Sequence, residues 1–150
     1  MKLSRRHVGF GVILATILGS IGYTIWWPHW SEAEKTNAQN IRLAMQQVRG
    51  AIEYANRQGG MLEEKDTSYL IKLYRSAMDY AGRADQKVLL KVHHELPKQW
   101  QETFIASTHL FVIALENKDR DVGRKAGLIQ DDWVRWYNLN FDDMRIPDKQ

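Results

Sequence analysis

The side chains in this sequence that are best suited to chemistry are three neighbours, His93, His94 and Glu95. A further histidine, His109, follows about one helix later. Imidazole and carboxylate groups bind zinc or iron, and they transfer protons near neutral pH. The candidate metal ligands are therefore His93, His94 and His109, and these residues define a possible ligand-binding function.

The spacing of these residues argues against a metal centre. If His93 and His94 lie on a helix, their side chains point about 100° apart and cannot face one ion. The sequence also has no H-x-x-x-H, H-E-x-x-H or E-x-x-H motif. The simpler interpretation is a histidine pair that benefits from the helix dipole just before Pro97. We therefore expect no bound metal or cofactor.

Other catalytic patterns are missing from the sequence. The chain has no cysteine, which excludes thiolate catalysis and disulfides. It has no glycine-rich phosphate loop and no G-x-S-x-G motif. Two acidic pairs, at 131–132 and 142–143, are explained as solvated residues near the ends of the last helix. The sequence predicts a protein that is not an enzyme.

The distribution of charge argues against a nucleic-acid partner. Three of the 21 Lys and Arg residues precede Trp30, and the other 18 are balanced by 18 Asp and Glu. Proteins that bind nucleic acid neutralise phosphates with a clustered basic surface. The net charge of +3 is instead concentrated at Lys2, Arg5 and Arg6, where it has the form of a targeting signal.

Residues 8–27 form an uncharged, mostly apolar run. About 20 such residues are needed for a helix that crosses a bilayer. Because the basic residues precede this run, the positive-inside rule predicts a cytoplasmic N-terminus and an exported remainder. Small residues on one face would let a second membrane helix pack closely. These residues are Gly11, Ala15, Gly19 and Gly22.

Three tryptophans, Trp26, Trp27 and Trp30, surround Pro28 at the end of this run. Indole rings are favoured at membrane interfaces, and Pro28 would end the spanning helix. The alternative is a secretory signal that is cleaved near residues 20–22. The apolar run continues beyond that point, which favours an uncleaved anchor in the cytoplasmic (inner) membrane, with most of the chain in the periplasm or extracytoplasmic space.

The remaining sequence has helical periodicity. Ser31 and Glu34 have the spacing of a capping box. Apolar residues spaced three and four apart then predict the buried face of a first helix: Ala38, Ile41, Met45, Val48, Ile52 and Ala55. A second helix is predicted from Asp66 or Thr67 to about residue 94, weakened but not necessarily broken by Gly82. Pro97 is predicted to begin a third helix, and residues 117–121 to form the turn before a fourth.

The predicted fold class is all-α, with an N-terminal single transmembrane helix followed by an antiparallel bundle of about four helices. Residues 1–30 would form the basic stub, anchor and aromatic belt. Residues 31–141 would form the bundle, and residues 142–150 a tail that is frayed or ordered by a partner.

The last predicted helix has an unusually wide apolar surface. Trp133 and Trp136 share one face, whereas Val134, Tyr137 and Phe141 share another. A single core-facing stripe needs only about 100° of the helix surface. The helix is therefore either buried on two sides or exposes aromatic residues to a partner. The partner-binding candidates are Val134, Tyr137 and Phe141.

The leading interpretation is a non-catalytic, membrane-anchored protein that binds another envelope or membrane protein, as an accessory or assembly subunit, inhibitor or immunity-type protein. One alternative is a small-ligand or metal-binding bundle that uses the three histidines. Another is a self-assembling structural protein, in which the membrane stripe and the apolar face of residues 38–55 make homo-oligomer contacts.

Overall fold

The computed structural model describes residues 29–59 and 62–147, and these residues form a helical bundle without strands. The α-helices are α1 (Glu32–Arg57), α2 (Glu64–Gly82), α3 (Gln86–Val92), α4 (Leu96–Gln99), α5 (Ala106–Asn117) and α6 (Arg120–Asn140). A π-helical stretch, Trp100–Ile105, joins α4 to α5, and a 3-10 turn, Phe141–Asp143, follows α6. The predicted all-α bundle is confirmed for this part of the chain.

The predicted membrane anchor lies outside the described residues. So do the two tryptophans and the small-residue stripe assigned to it, which are Trp26, Trp27, Gly11, Ala15, Gly19 and Gly22. None of the helices in residues 29–59 and 62–147 has the length and hydropathy needed to cross a bilayer.

Helix α1 begins as its sequence predicts. The Glu34 amide donates to Ser31 Oγ at 3.2 Å, and the Ser31 amide donates to Glu34 Oε2 at 2.8 Å. This reciprocal capping box satisfies two amides that the first helical turn leaves unpaired.

The predicted apolar face of α1 packs inside this bundle. Ala38, Ile41, Met45 and Val48 are buried, and Ile52 and Ala55 are partly buried against the same core. The face is therefore occupied by the chain's own helices. Its four buried residues are therefore not available for the contact between copies that a self-assembling protein would need, whereas Ile52 and Ala55 remain partly exposed.

Helices α1 and α2 run in opposite directions. Near one end of the pair, the Tyr54 hydroxyl donates to Asp66 Oδ1 at 2.7 Å. Near the other end, the Asn37 side chain donates to the Arg83 carbonyl at 2.8 Å and accepts from the Asp85 amide at 2.7 Å. The late part of α1 therefore meets the early part of α2, and the early part of α1 meets the residues that follow α2.

The predicted second helix is in fact two helices. Helix α2 ends at Gly82, and α3 begins at Gln86 with Asp85 as its N-cap, where Asp85 Oδ1 accepts from the Lys87 amide at 2.7 Å. Glycine disfavours helix and aspartate favours the N-cap. The Asn37 side chain also pairs backbone groups in the break. This tertiary contact makes the interruption favourable, and periodicity alone could not predict it.

The third predicted helix begins at Leu96 with Pro97 in its first turn, as expected. Its π-helical stretch contributes the centre of the core. The rings of Trp100 and Phe104 stack with centroids 4.3 Å apart, and the Trp133 ring contacts both edge-on, at 5.8 and 5.1 Å. Stacked and edge-on contacts of this kind are favoured between aromatic rings. This aromatic cluster joins the third helical segment to α6.

The chain after α6 packs back onto the bundle. The Arg145 amide donates to the Val92 carbonyl at 3.1 Å, and the Arg42 guanidinium donates to the Ile146 carbonyl at 3.3 Å. Met144 and Ile146 also contact the core. The described part of the tail, which was predicted to be frayed or ordered by a partner, thus contacts the chain's own bundle, where Met144 and Ile146 bury apolar surface that would otherwise contact water.

The different burial of two leucines predicts that their substitution by alanine has very different effects on the free energy of unfolding. Leu70 is 2% exposed and Leu139 is 78% exposed. We expect Leu70→Ala to lower the free energy of unfolding by about 2–5 kcal/mol through a lost contact and a cavity. Leu139→Ala should change it by less than about 0.5 kcal/mol. Urea unfolding of the full-length chain in non-ionic detergent micelles measures both. Equal effects would contradict this core.

Candidate functional site

The two adjacent histidines lie at the break after α3. His93 has extended backbone angles, with φ −161° and ψ 139°, so the two residues do not follow helical spacing. Their ring centroids are 4.5 Å apart. The expectation that the helix would keep the two rings apart is therefore wrong, because the helix ends at Val92. His93 is buried and His94 is exposed.

Polar contacts hold this break against α6. His93 Nδ1 accepts a hydrogen bond from the Glu95 amide at 3.2 Å. The Trp136 ring contacts the His93 ring edge-on at 5.4 Å, and Trp136 Nε1 donates to Glu95 Oε2 at 3.0 Å. We call these four residues, His93, His94, Glu95 and Trp136, the His93 cluster. Its side chains connect the break to the last helix.

Contacts within the His93 cluster change the pKa of the Glu95 carboxyl group. The pKa of Glu95 is lowered, chiefly because Trp136 donates a hydrogen bond to it, with smaller contributions from the nearby His94 and His93 side chains. The carboxylate is therefore held in its charged form as a hydrogen-bond acceptor. This environment suits a structural contact.

The third histidine does not join this cluster. His109 is exposed on α5. Within the described part of the chain, no three His, Asp or Glu side chains are arranged to hold a metal ion. The structure thus brings His93 and His94 together but does not add His109 to them, and two adjacent imidazoles do not provide the ligand set of a protein metal site.

A second polar cluster lies where the described chain begins. The Lys91 ammonium donates to the His29 carbonyl at 2.6 Å and lies 2.9 Å from each carboxylate oxygen of Glu34. It also lies 4.7 Å from the ring centroid of Trp30, in a cation–π contact. We call these four residues, His29, Trp30, Glu34 and Lys91, the Lys91 cluster. It attaches the residues before α1 to α3.

Trp30 is a core residue of the bundle. It is 6% exposed and packs with the buried side chains of the domain. Its prediction as a membrane-interface residue is corrected, because the ring is already buried against protein and Lys91. The predictions for Trp26 and Trp27 are not affected, since those residues lie outside the described part of the chain.

The Trp30 indole nitrogen is unusual among the described residues. It is the one buried side-chain nitrogen or oxygen there without a hydrogen-bond partner. In contrast, Trp100 Nε1 donates to the Ala81 carbonyl at 3.2 Å. An unpaired buried donor costs about 1–3 kcal/mol. The packing at Trp30 therefore favours burial of the ring and its contact with Lys91 over pairing of its nitrogen.

The Lys91 cluster is also an electrostatic contact. The pKa of Glu34 is lowered to about 2, chiefly by the hydrogen bond from Lys91 and next by the bond from the Ser31 amide. A carboxylate that accepts several donors, one of them charged, is stabilised in its ionised form. Sequence reasoning identified Glu34 as part of the capping box, but it missed Lys91, which is 57 residues away and has no local signal.

The three residues of the predicted binding surface on α6 are buried or partly buried in the bundle. Tyr137 is 6% exposed, and its ring contacts Trp133 and Phe141, each at 5.7 Å between centroids. Burial raises the pKa of the Tyr137 hydroxyl to about 12. Val134 and Phe141 are partly buried against the same core. The wide apolar surface of α6 therefore arises because the helix is buried on two sides, and Tyr137 is corrected from a binding residue to a core residue.

The exposed apolar side chains of α6 are different ones. Leu128 is 63% exposed and Leu139 is 78% exposed. They are eleven residues apart, about three helical turns, and so lie on the same face. The sequence pattern includes Leu139 in the wide apolar surface of α6 but does not single out either leucine, because only the exposure of each side chain in the tertiary structure distinguishes it from a core leucine.

Comparison with protein-family models, curated proteins and solved structures gives no match for this chain.

The lowered pKa of Glu34 predicts a pH-dependent contribution to stability. The folded state binds this proton less tightly than the unfolded state, so the contribution is complete above the ordinary carboxyl pKa of 4.5 and is lost as the pH falls toward 2. The difference in free energy of unfolding between the native chain and Glu34→Gln should therefore shrink across this range.

Urea unfolding at several pH values, in non-ionic detergent micelles, measures this difference. The matched control is Glu32→Gln, which removes an exposed ion pair with Lys35 and should have little effect. A Glu34→Gln effect that stays constant from pH 6 to pH 2 would contradict the assignment.

The His93 cluster predicts a change in the pKa of Glu95 when its donor is removed. Trp136→Phe keeps an aromatic ring but deletes the Nε1 donor, so the Glu95 pKa should rise toward its ordinary value. Carbon-13 NMR titration of the side-chain carboxyl groups measures this change. The Glu34 pKa, set by separate contacts, should stay constant and serves as the internal control. An unchanged Glu95 pKa would show that Trp136 is not its main partner.

Proposed function

We propose that this chain is a non-catalytic, single-pass membrane protein whose helical domain binds a protein partner on the outer side of the cytoplasmic membrane. Residues 8–27 form the anchor. The four helical segments predicted for residues 31–141 form an antiparallel bundle. The opposite directions of α1 and α2 support this arrangement. Such a protein would act as an accessory or assembly subunit, an inhibitor or an immunity-type protein.

The observation that carries the proposal is the position of the Lys91 cluster. The apolar run ends at Trp27, and the domain already binds the chain at His29 and buries Trp30. Three residues span at most about 10 Å. A flexible linker would let the domain move freely about its anchor. This short attachment instead supports a domain with a defined position relative to the membrane, as binding to a neighbouring membrane protein requires.

The contacts of the reactive side chains support binding in preference to catalysis. Glu34 is paired with Lys91, and Glu95 accepts from Trp136. Catalytic groups need a position within reach of a substrate and a pKa suited to proton transfer near the working pH. Here the carboxylates with lowered pKa values are engaged in contacts between helices, so their chemistry serves the fold.

Native mass spectrometry of a C-terminally tagged, full-length chain tests the proposal. After extraction from its own membranes in mild detergent, we expect the intact chain with another protein attached. Denatured mass spectrometry of the same sample reports whether the N-terminal segment is retained. An intact chain without a partner, or a shortened chain that begins near Tyr23, would contradict the proposal.

A paired set of surface variants makes the same experiment more specific. Leu128→Ser with Leu139→Ser removes the two most exposed large apolar side chains on α6, and Leu62→Ser removes one that is 39% exposed near the start of α2. These changes should leave the fold intact because the side chains lie on the surface. Loss of the partner with the α6 pair but not with Leu62→Ser would place the binding surface on α6.

A further inference from the structure

We propose that α3 rests on the lipid headgroup layer and turns Leu90 and Lys87 toward it, which gives the domain a second membrane contact beside its anchor. This inference rests on the proposed function, because it requires residues 8–27 to span the bilayer. It concerns the surface of the domain itself, and its test separates it from the anchor.

Helix α3 is attached to the chain close to the end of the apolar run. Lys91 of α3 binds the carbonyl of His29 at 2.6 Å, and His29 is two residues beyond Trp27, where the apolar run ends. Two residues span at most about 7 Å. The headgroup layer on each side of the hydrocarbon core is about 5–7 Å thick. The Lys91 ammonium is therefore held at the height of the headgroups, and α3 lies within the length of one lysine side chain of it.

Helix α3 also exposes one apolar and one basic side chain on the same side. Val88, Leu89 and Val92 are buried in the core, whereas Leu90 is 51% exposed and Lys87 is exposed. Lys87 and Leu90 are three residues apart and so lie on the same side of the helix. This combination is typical of helices at a lipid interface, where the apolar side chain enters the interface and the lysine reaches phosphate.

Further basic residues lie near the two ends of α3. Arg83 precedes α3 and is exposed. Arg145 is also exposed, and its amide binds the last carbonyl of α3. Asp85, which lies between Arg83 and Lys87 in the sequence, is engaged as the N-cap of α3. Two exposed basic residues, Arg83 and Lys87, thus precede Leu90 in the chain, and the backbone of a third, Arg145, contacts the end of the same helix. A layer of phospholipid phosphates has the complementary charge.

The chain offers a matched control at the other end of the bundle. Helix α1 runs from Glu32, beside the Lys91 cluster, to Arg57, a distance of about 37 Å at 1.5 Å per residue. Leu62 follows α1 and is 39% exposed. It is an exposed leucine like Leu90, but it lies far from the point where the chain leaves the predicted anchor.

Fluorescence quenching in vesicles tests the inference on the full-length chain. Because the protein has no cysteine, Leu90→Cys, Leu62→Cys and Thr24→Cys each provide one labelling position. Each variant, with an environment-sensitive fluorophore, is reconstituted into phosphatidylcholine–phosphatidylglycerol vesicles. A fraction of the lipids carries nitroxide in the headgroup or in the acyl chain. Lys87→Cys, which keeps Leu90, provides a second reporter on α3.

We expect headgroup nitroxide to quench the labels on α3 and to leave the Leu62 label bright, while acyl-chain nitroxide quenches the Thr24 label. Quenching at Thr24 without quenching at positions 87 and 90 would overturn the inference and leave the anchor in place. Equal quenching at Leu62 and Leu90 would overturn it too, since the contact would not be specific to α3. No quenching at Thr24 would contradict the anchor itself.

A protein bound to α3 would give a different result. The labels on α3 would then stay bright in lipid vesicles and be shielded from a water-soluble quencher only in samples that retain a copurified protein. That result would show that a protein, and not lipid, contacts this surface. It would overturn the inference.

Discussion

The Glu34 carboxylate joins three parts of the domain. It accepts a hydrogen bond from the Ser31 amide, which completes the capping box at the start of α1. Both of its oxygens also bind the Lys91 ammonium of α3. The same ammonium binds the chain at His29. The start of the first helix, the position of α3 and the path of the residues before Trp30 therefore depend on one charged group with several donors.

Helix α3 and its end are held by contacts with three other parts of the domain. Its seven residues are too few to form a stable helix alone. Lys91 connects it to α1, the Val92 carbonyl accepts the amide of Arg145, and His93 contacts Trp136 of α6. Tertiary contacts thus maintain a short helix in a fixed place, and both polar clusters meet at it. The proposed function and the proposed membrane contact therefore concern the same end of the molecule, the one that contains α3.

Local signals predicted much of the fold but little of the site. The capping box at Ser31, the buried face of α1 and the proline start of the third helix depend on neighbours within four residues, and the structure confirms them. The break after Gly82 depends on Asn37, which contacts it from more than forty residues away. The position of Tyr137 depends on which side of α6 meets the core, and periodicity showed two apolar faces without ranking them.

By itself, the sequence determined that the domain is all-helical and where most of its helices begin, because caps, prolines and apolar spacing act over one or two turns. It also determined that an uncharged run of about 20 residues precedes the domain. Only the tertiary structure decided that Trp30 is a core residue and that His93 and His94 meet at a helix break. It alone paired Lys91 with Glu34, since two charges 57 residues apart become neighbours only when the helices between them have packed.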